Sequence, residues 1–230
     1  MNDTILAVFG LGFALGVRHA LEPDHLVAVS TIVSTNKSIM RSSFAGTFWG
    51  LGHTASLLLC GTAALALRLS ISASFVAWAE RAVAVMLVIL GVNSLWRSSR
   101  RSKLHIHFHT HEGRRHIHFH GHRAAEPAEH DHRHVFKMGL RSFLIGVVHG
   151  LAGSGALMIL VVAAVPSFVA GMVYILLFGL GSIGGMLVLS GLISIPFVFS
   201  ASRFQVFNDG LQVVTALLSI ASGLLWIGVL

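Results

Sequence analysis

The sequence predicts an all-α polytopic membrane protein, with six transmembrane helices arranged as two inverted three-helix repeats. Three observations lead there. The 230 residues are 54% hydrophobic and 11% charged, with a mean hydropathy of +0.79, whereas a soluble domain carries about 25% charged residues. The apolar sequence falls into six stretches, near 5–33, 43–67, 75–96, 138–164, 168–199 and 209–230, each long enough to cross a bilayer at roughly 20 residues per span. Finally, the two halves echo each other. Gly16-Val17-Arg18-His19-Ala20-Leu21 returns as Gly146-Val147-Val148-His149-Gly150-Leu151, and Trp49-Gly50-Leu51-Gly52-His53 as Phe178-Gly179-Leu180-Gly181-Ser182. Trp96 and Trp226 close the third and sixth stretches, so the three offsets are 130, 129 and 130 residues. An odd number of spans per half inserts the halves upside down relative to each other, the design of many secondary transporters.

Taken in order, the first stretch is a retained span rather than a signal peptide. It has Asp3 in place of a basic leader, and no small-residue cleavage site follows it. It is long, and Pro23 is expected to break it: the ring cannot donate to the carbonyl of His19 and disfavours helical geometry at Glu22. The second and third spans complete the first repeat, residues 1–96. Residues 97–137 are too polar for lipid and form a loop, expected to be disordered without metal. The last three spans make up the second repeat, residues 138–230. Cys60 is the single cysteine, which excludes an internal disulfide.

Charge sets the orientation. The loops near 34–42, 97–137 and 200–208 share one side and hold Lys37, Arg41, Arg203 and most of the remaining basic residues, against Arg68 and Arg81 opposite. The positive-inside rule puts the rich side in the cytoplasm and both termini outside. The net charge of +7 is then explained by topology, and the soluble basic face that nucleic acid needs is absent.

The chemistry lies in Arg18-His19-Ala20-Leu21-Glu22-Pro23-Asp24-His25. An ionised group at lipid depth costs roughly 2.5–3.5 kcal/mol, so a buried ionisable cluster is by default a functional site. Imidazole with carboxylate is ligand chemistry for a divalent transition metal. On a straight helix His19 and His25 would stand about 240° apart and His19 and Asp24 about 140°. The break at Pro23 resolves this by swinging the ligands together, and it frees the His19 carbonyl as a further oxygen donor. Irregular backbone at that depth is tolerated only where it lines a cavity or is buried in protein. His53 and His149 are the other histidines in apolar segments, each beside glycines that let helices approach closely. Both are candidate ligands, with orientation of a ligand as the alternative role. Glu22 is a further candidate, Arg18 is expected to neutralise the carboxylates when metal is absent, and Thr54 and Asn93 read as packing or capping residues.

The spacing His19-x-x-x-x-Asp24-His25 resembles the signature of the nickel/cobalt transporter (NiCoT) family of bacterial permeases, and Leu51-Gly52-His53-Thr54 is similar to a second family motif. His149-Gly150-Leu151-Ala152-Gly153-Ser154 is similar to the shorter six-span branch found beside urease genes. The resemblance implies a secondary transporter of Ni²⁺ or Co²⁺ in the bacterial inner membrane. It also implies that His19, Asp24 and His25 are essential, that the ion is cargo rather than cofactor, and that cytoplasmic nickel chaperones are partners. Ser182-Ile183-Gly184-Gly185 departs from the eight-span branch, and the large His-rich loop is a trait shared with related efflux proteins. Uptake is the expected direction, with efflux as the alternative.

Eleven of the fifteen histidines lie in the central loop: His105, His107, His109, His111, His116, His118, His120, His122, His130, His132 and His134. Strict alternation puts imidazoles on one face of an extended segment, and two such segments around Gly113 are expected to pair as a loose hairpin on binding metal. The loop is read as an auxiliary metal-binding tract. A non-transporting storage or sensor protein would explain the loop but not the buried cluster. A serine hydrolase built on Ser154 with His149 and His53 lacks the glycine two residues before the serine, where Ala152 stands. No Gly-rich, Lys-containing nucleotide loop occurs, which argues against a self-contained pump.

Overall fold

The computed structural model describes residues 2–67, 72–101, 104–111, 114–121, 138–152 and 167–229. Helices α1 (Asn2–His19) and α2 (Pro23–Val33) divide the first apolar stretch. They are followed by α3 (Ile39–Leu67) and α4 (Ala73–Arg101), the strands β1 (Leu104–His111) and β2 (Arg114–Gly121), and helices α5 (Met138–Ala152), α6 (Phe168–Arg203) and α7 (Gln205–Val229). Among the described residues, α3, α4, α6 and α7 are long and apolar enough to cross a membrane, and α5 is a shorter apolar helix. The remainder of the expected fourth span, Ser154, and His122, His130, His132 and His134 lie outside the described residues.

The break falls where Pro23 requires it. Glu22 is extended, at φ −64° and ψ 147°, and Pro23 occupies the first position of α2, where its missing N–H is harmless. One expectation fails here: the His19 carbonyl is not free, because Glu22 N–H donates to it at 3.0 Å. The chain closes a tight turn over Ala20–Glu22, and that turn consumes the acceptor that the proline released.

Glycines determine which helices touch. α1 runs parallel to α6, with Gly16 against the carbonyl of Phe178 and Gly181 against that of Phe13. α5 runs parallel to α3 through the same kind of contact, with Gly146 against the carbonyl of Trp49 and Gly52 against that of Phe143. At all four positions a Cβ would overlap a backbone oxygen, so only glycine permits the approach. α3 and α6 pack antiparallel, Gly50 against Ile183 and Thr54 donating to the Gly179 carbonyl at 3.3 Å. α4 and α7 also cross antiparallel, and Ser219 Oγ donates to the Leu87 carbonyl at 2.7 Å. Buried Val29, Val33, Trp49, Val83, Leu87 and Met186 fill the centre, while Trp78, Ile89, Leu180, Leu217 and Leu225 stand exposed on outer faces, as lipid contact demands.

Pro196 lies within α6, and the turn beyond it is tied down. Asn208 Nδ2 donates to the Phe197 carbonyl at 2.8 Å and to Ser200 Oγ at 2.9 Å, while Gln212 Nε2 donates to Asn208 Oδ1 at 2.6 Å. This buried amide pair anchors the start of α7 to the end of α6.

β1 and β2 add a two-stranded antiparallel ribbon to the expected all-α fold. Its register sets histidine positions against one another: His105 opposite His120, His107 opposite His118 and His109 opposite His116.

Candidate metal centre

Five side chains from four helices meet at the break. His19 ends α1, and Asp24 and His25 open α2. His53 lies in the middle of α3 and His149 on α5, which the glycine contacts press against α3. His19 Nε2 is 3.0 Å from His53 Nε2. Asp24 bridges two rings, with Oδ1 3.1 Å from His25 Nδ1 and Oδ2 2.8 Å from His149 Nε2. The imidazoles of His19 and His25 have centroids 4.5 Å apart, and those of His25 and His149 4.2 Å apart. His25 and His53 are fully buried and His149 nearly so.

The donor atoms form two overlapping groups, His19–His25–His53 and Asp24–His25–His149, each with its ligand atoms within 4.8 Å of one another. His25 belongs to both. Metal–imidazole bonds of about 2.1 Å at right angles put two nitrogens about 3.0 Å apart, which is the separation found between His19 and His53. His25 Nε2, His53 Nδ1 and His149 Nδ1 are buried without a hydrogen-bond partner among the described residues. Buried polar atoms are rarely left so, and orphaned imidazole nitrogens beside a shared carboxylate suit a bound cation.

Glu22 stands at the rim. Its carboxylate is half exposed, and Oε2 lies 2.9 Å from His19 Nδ1, where it orients the ring and fixes its tautomer. It joins neither donor group. Arg18 does not do what the sequence suggested. It is exposed, and Glu22 and Asp24 find histidines as partners instead, Glu22 at the rim and Asp24 partly buried at the start of α2. Thr54 is a packing residue, as expected.

Two aromatic residues at the site escaped sequence reasoning as functional groups. The Trp49 indole stacks on His25, with centroids 5.3 Å apart and planes 26° apart, and meets His149 at 5.4 Å. Phe178 lies 5.4 Å from His19. The signal was present: both open the repeated motif four residues before His53 and Ser182, one helical turn away on the same face. Ser182 stands where the sequence echo of Trp49–His53 would put a histidine, and its hydroxyl is buried without a partner among the described residues.

The family described as NicO, high-affinity nickel-transport protein, matches residues 5–227. The chain belongs to the NicO family. It is therefore a membrane transport protein for nickel, not an enzyme, and the resemblance carried by His19, Asp24 and His25 is borne out. It is 38% identical over 226 residues to the urease accessory protein UreH of Bacillus sp. (strain TB-90), covering 96% of this chain and 90% of that protein. It is 27% identical over 232 residues to chloroplast protein FOR GROWTH AND FERTILITY 2 of Arabidopsis thaliana, covering 99% of this chain but 56% of that protein. Chloroplast protein FOR GROWTH AND FERTILITY 1 of the same plant is 29% identical over 177 residues, covering 76% of the chain and 46% of that protein. This NicO-family chain thus spans about half the length of its two plant relatives. No solved structure matches it.

Proposed function

We propose that this NicO-family chain is a six-span secondary transporter that takes Ni²⁺, and also Co²⁺, into the bacterial cytoplasm through a site built from His19, Asp24, His25, His53 and His149. The convergence of four imidazoles and one carboxylate at a break in the first span carries this reading. Nitrogen and oxygen ligands suit nickel in tetragonal geometry. Because His25 belongs to both donor groups, the ion passes from His19 and His53 to Asp24 and His149 by exchanging ligands one at a time while His25 stays bound. Glu22 holds His19 from the rim.

The inverted repeat is supported by the helix contacts. Gly16 on Phe178 becomes Gly146 on Trp49 under the sequence offsets, and Gly181 on Phe13 becomes Gly52 on Phe143. Residues 1–96 and 138–230 are then the two repeats around a cytoplasmic loop, 97–137. With both termini outside, two charges entering down an interior-negative potential gain roughly 4.6 kcal/mol per 100 mV, so uptake needs no coupled pump. The histidines from His105 to His134 act as an auxiliary tract that holds metal after entry and passes it to cytoplasmic nickel chaperones. The histidine-on-histidine register of β1 and β2 favours that use.

The test is accumulation of radioactive nickel by cells with the protein, without it, and with residues 104–134 deleted. The full chain raises accumulation several-fold, and the deletion keeps at least part of the gain, with the main loss at low external metal. Lowered accumulation by the full chain would mean efflux, and complete loss on deletion at every concentration would mean that the loop belongs to the pathway. Orientation has its own check. A cysteine placed at Ala125 in a Cys60→Ala background resists a membrane-impermeant thiol reagent in intact cells, and ready labelling reverses the assignment.

A further inference from the structure

Trp49 is wedged into the metal centre without supplying a ligand. It is 1% exposed, and an indole carries a donor N–H with no lone pair for a cation. Its ring lies nearly flat on the His25 imidazole, with planes 26° apart. It meets the His149 ring edge-on, with planes 70° apart. A Cβ on Gly146 would stand 2.8 Å from the indole Cδ1, so the side chain missing there is the space that the indole uses. Gly146 and His149 are three residues apart on α5, and so share one face of that helix. A single side chain of α3 thus touches both rings that Asp24 bridges, one from α2 and one from α5.

We propose that Trp49 is a positioning residue that fixes the ring planes of His25 and His149 and thereby sets the preference for nickel over zinc. The proposal rests on the reading of those two histidines as ligands. An ion bound to an imidazole nitrogen lies in the plane of the ring, so a ring that cannot turn decides where the ion sits. Asp24 fixes one nitrogen of each ring but not the tilt about that bond. The stacked face sets the tilt of His25, and the edge contact sets that of His149. Fixed planes favour an ion with a demanding geometry. Nickel prefers square-planar or tetragonal sites, whereas zinc has no geometric preference of its own and accepts rings that have relaxed. Loss of the indole therefore weakens nickel more than zinc.

The test is radioactive nickel uptake over a range of concentrations, with Zn²⁺ as competitor, at matched membrane expression. Trp49→Phe keeps a flat ring on His25 and stays within about threefold of the parent KM. Trp49→Met fills the space without a flat face. It raises the KM for nickel about tenfold, the lower end for loss of a group that orients a metal ligand, and leaves the maximal rate within about twofold. Zinc then inhibits at a several-fold lower ratio to nickel. Trp49→Leu, smaller than the indole, behaves alike and keeps the test available if Trp49→Met fails to insert. The ligand reading has a separate readout. In the purified full chain with Trp78, Trp96 and Trp226 changed to Phe, Trp49 is the remaining one of four tryptophans. Paramagnetic Ni²⁺ bound at His25 quenches its emission saturably, Zn²⁺ with its filled d shell does not, and His25→Ala abolishes the quenching. No quenching in the parent overturns the ligand reading and the proposal with it. Quenching together with an unchanged KM and zinc ratio in Trp49→Met and Trp49→Leu overturns the role of Trp49 alone, as does an equal loss in Trp49→Phe.

Discussion

Replacing His25 by alanine abolishes nickel accumulation. His25 is the member common to both donor groups, so its loss leaves two ligands in one and two in the other, and interrupts transfer between them. Removing even an outer-shell partner of a metal ligand costs 10–100-fold, and removal of this shared ligand is expected to lower nickel flux by more than 100-fold at matched membrane expression. His19→Ala, Asp24→Ala, His53→Ala and His149→Ala each break one group and lower flux by at least tenfold. Glu22→Ala loses only the support of His19 and lowers flux several-fold. The measurement is radioactive nickel uptake by cells expressing each variant. Near-normal flux in His25→Ala would remove the shared-ligand mechanism, and a uniform small effect across the set would remove the site altogether.

The second large effect comes from residues that carry no chemistry. Gly16→Ala and Gly146→Ala each place a methyl group against a backbone carbonyl, of Phe178 and Trp49 respectively. A side chain in that position is free to rotate away, but a backbone oxygen in a helix is not, so the helices must part. Overpacking of this kind costs about 3 kcal/mol. It also moves α1 or α5 away from its partner, and with it His19 or His149. Both variants are expected to lose most nickel uptake and to melt at lower temperature in detergent, to similar degrees, because the added carbon approaches a backbone oxygen equally closely in the two. Gly184→Ala, with nothing within 4 Å of the added carbon, leaves both unchanged. Stability retained in Gly16→Ala and Gly146→Ala would mean that the close approach is not what holds these helices together.

Both predictions turn on features that the sequence displayed unequally. His19, Asp24, His25 and the break at Pro23 were readable because all are local. A proline's effect on the preceding residues depends on covalent geometry, and the cost of ionisable groups in an apolar run depends on composition. His53 and His149 were readable only as candidates. Helical periodicity says which residues share a face, but not which helix that face meets. Nothing in the spacing says that Asp24 reaches α5 and not Arg18, or that the turn at Ala20–Glu22 takes up the His19 carbonyl. Trp49 and Phe178 were visible as repeat landmarks, yet their stacking on His25 and His19 depends on how α3 and α6 are rotated.

The sequence by itself therefore determined the class of the protein, the place of the break, and the residue types of the candidate ligands, all of which follow from local chemistry and hydropathy. Only the tertiary structure decided how those side chains are grouped. Glycine contacts set α1 against α6 and α5 against α3, and those contacts bring His53 and His149 to the break from residues 34 and 125 positions away in sequence. Such approaches depend on the angle and depth at which helices cross. That geometry is a property of the whole packed bundle, and no single segment encodes it.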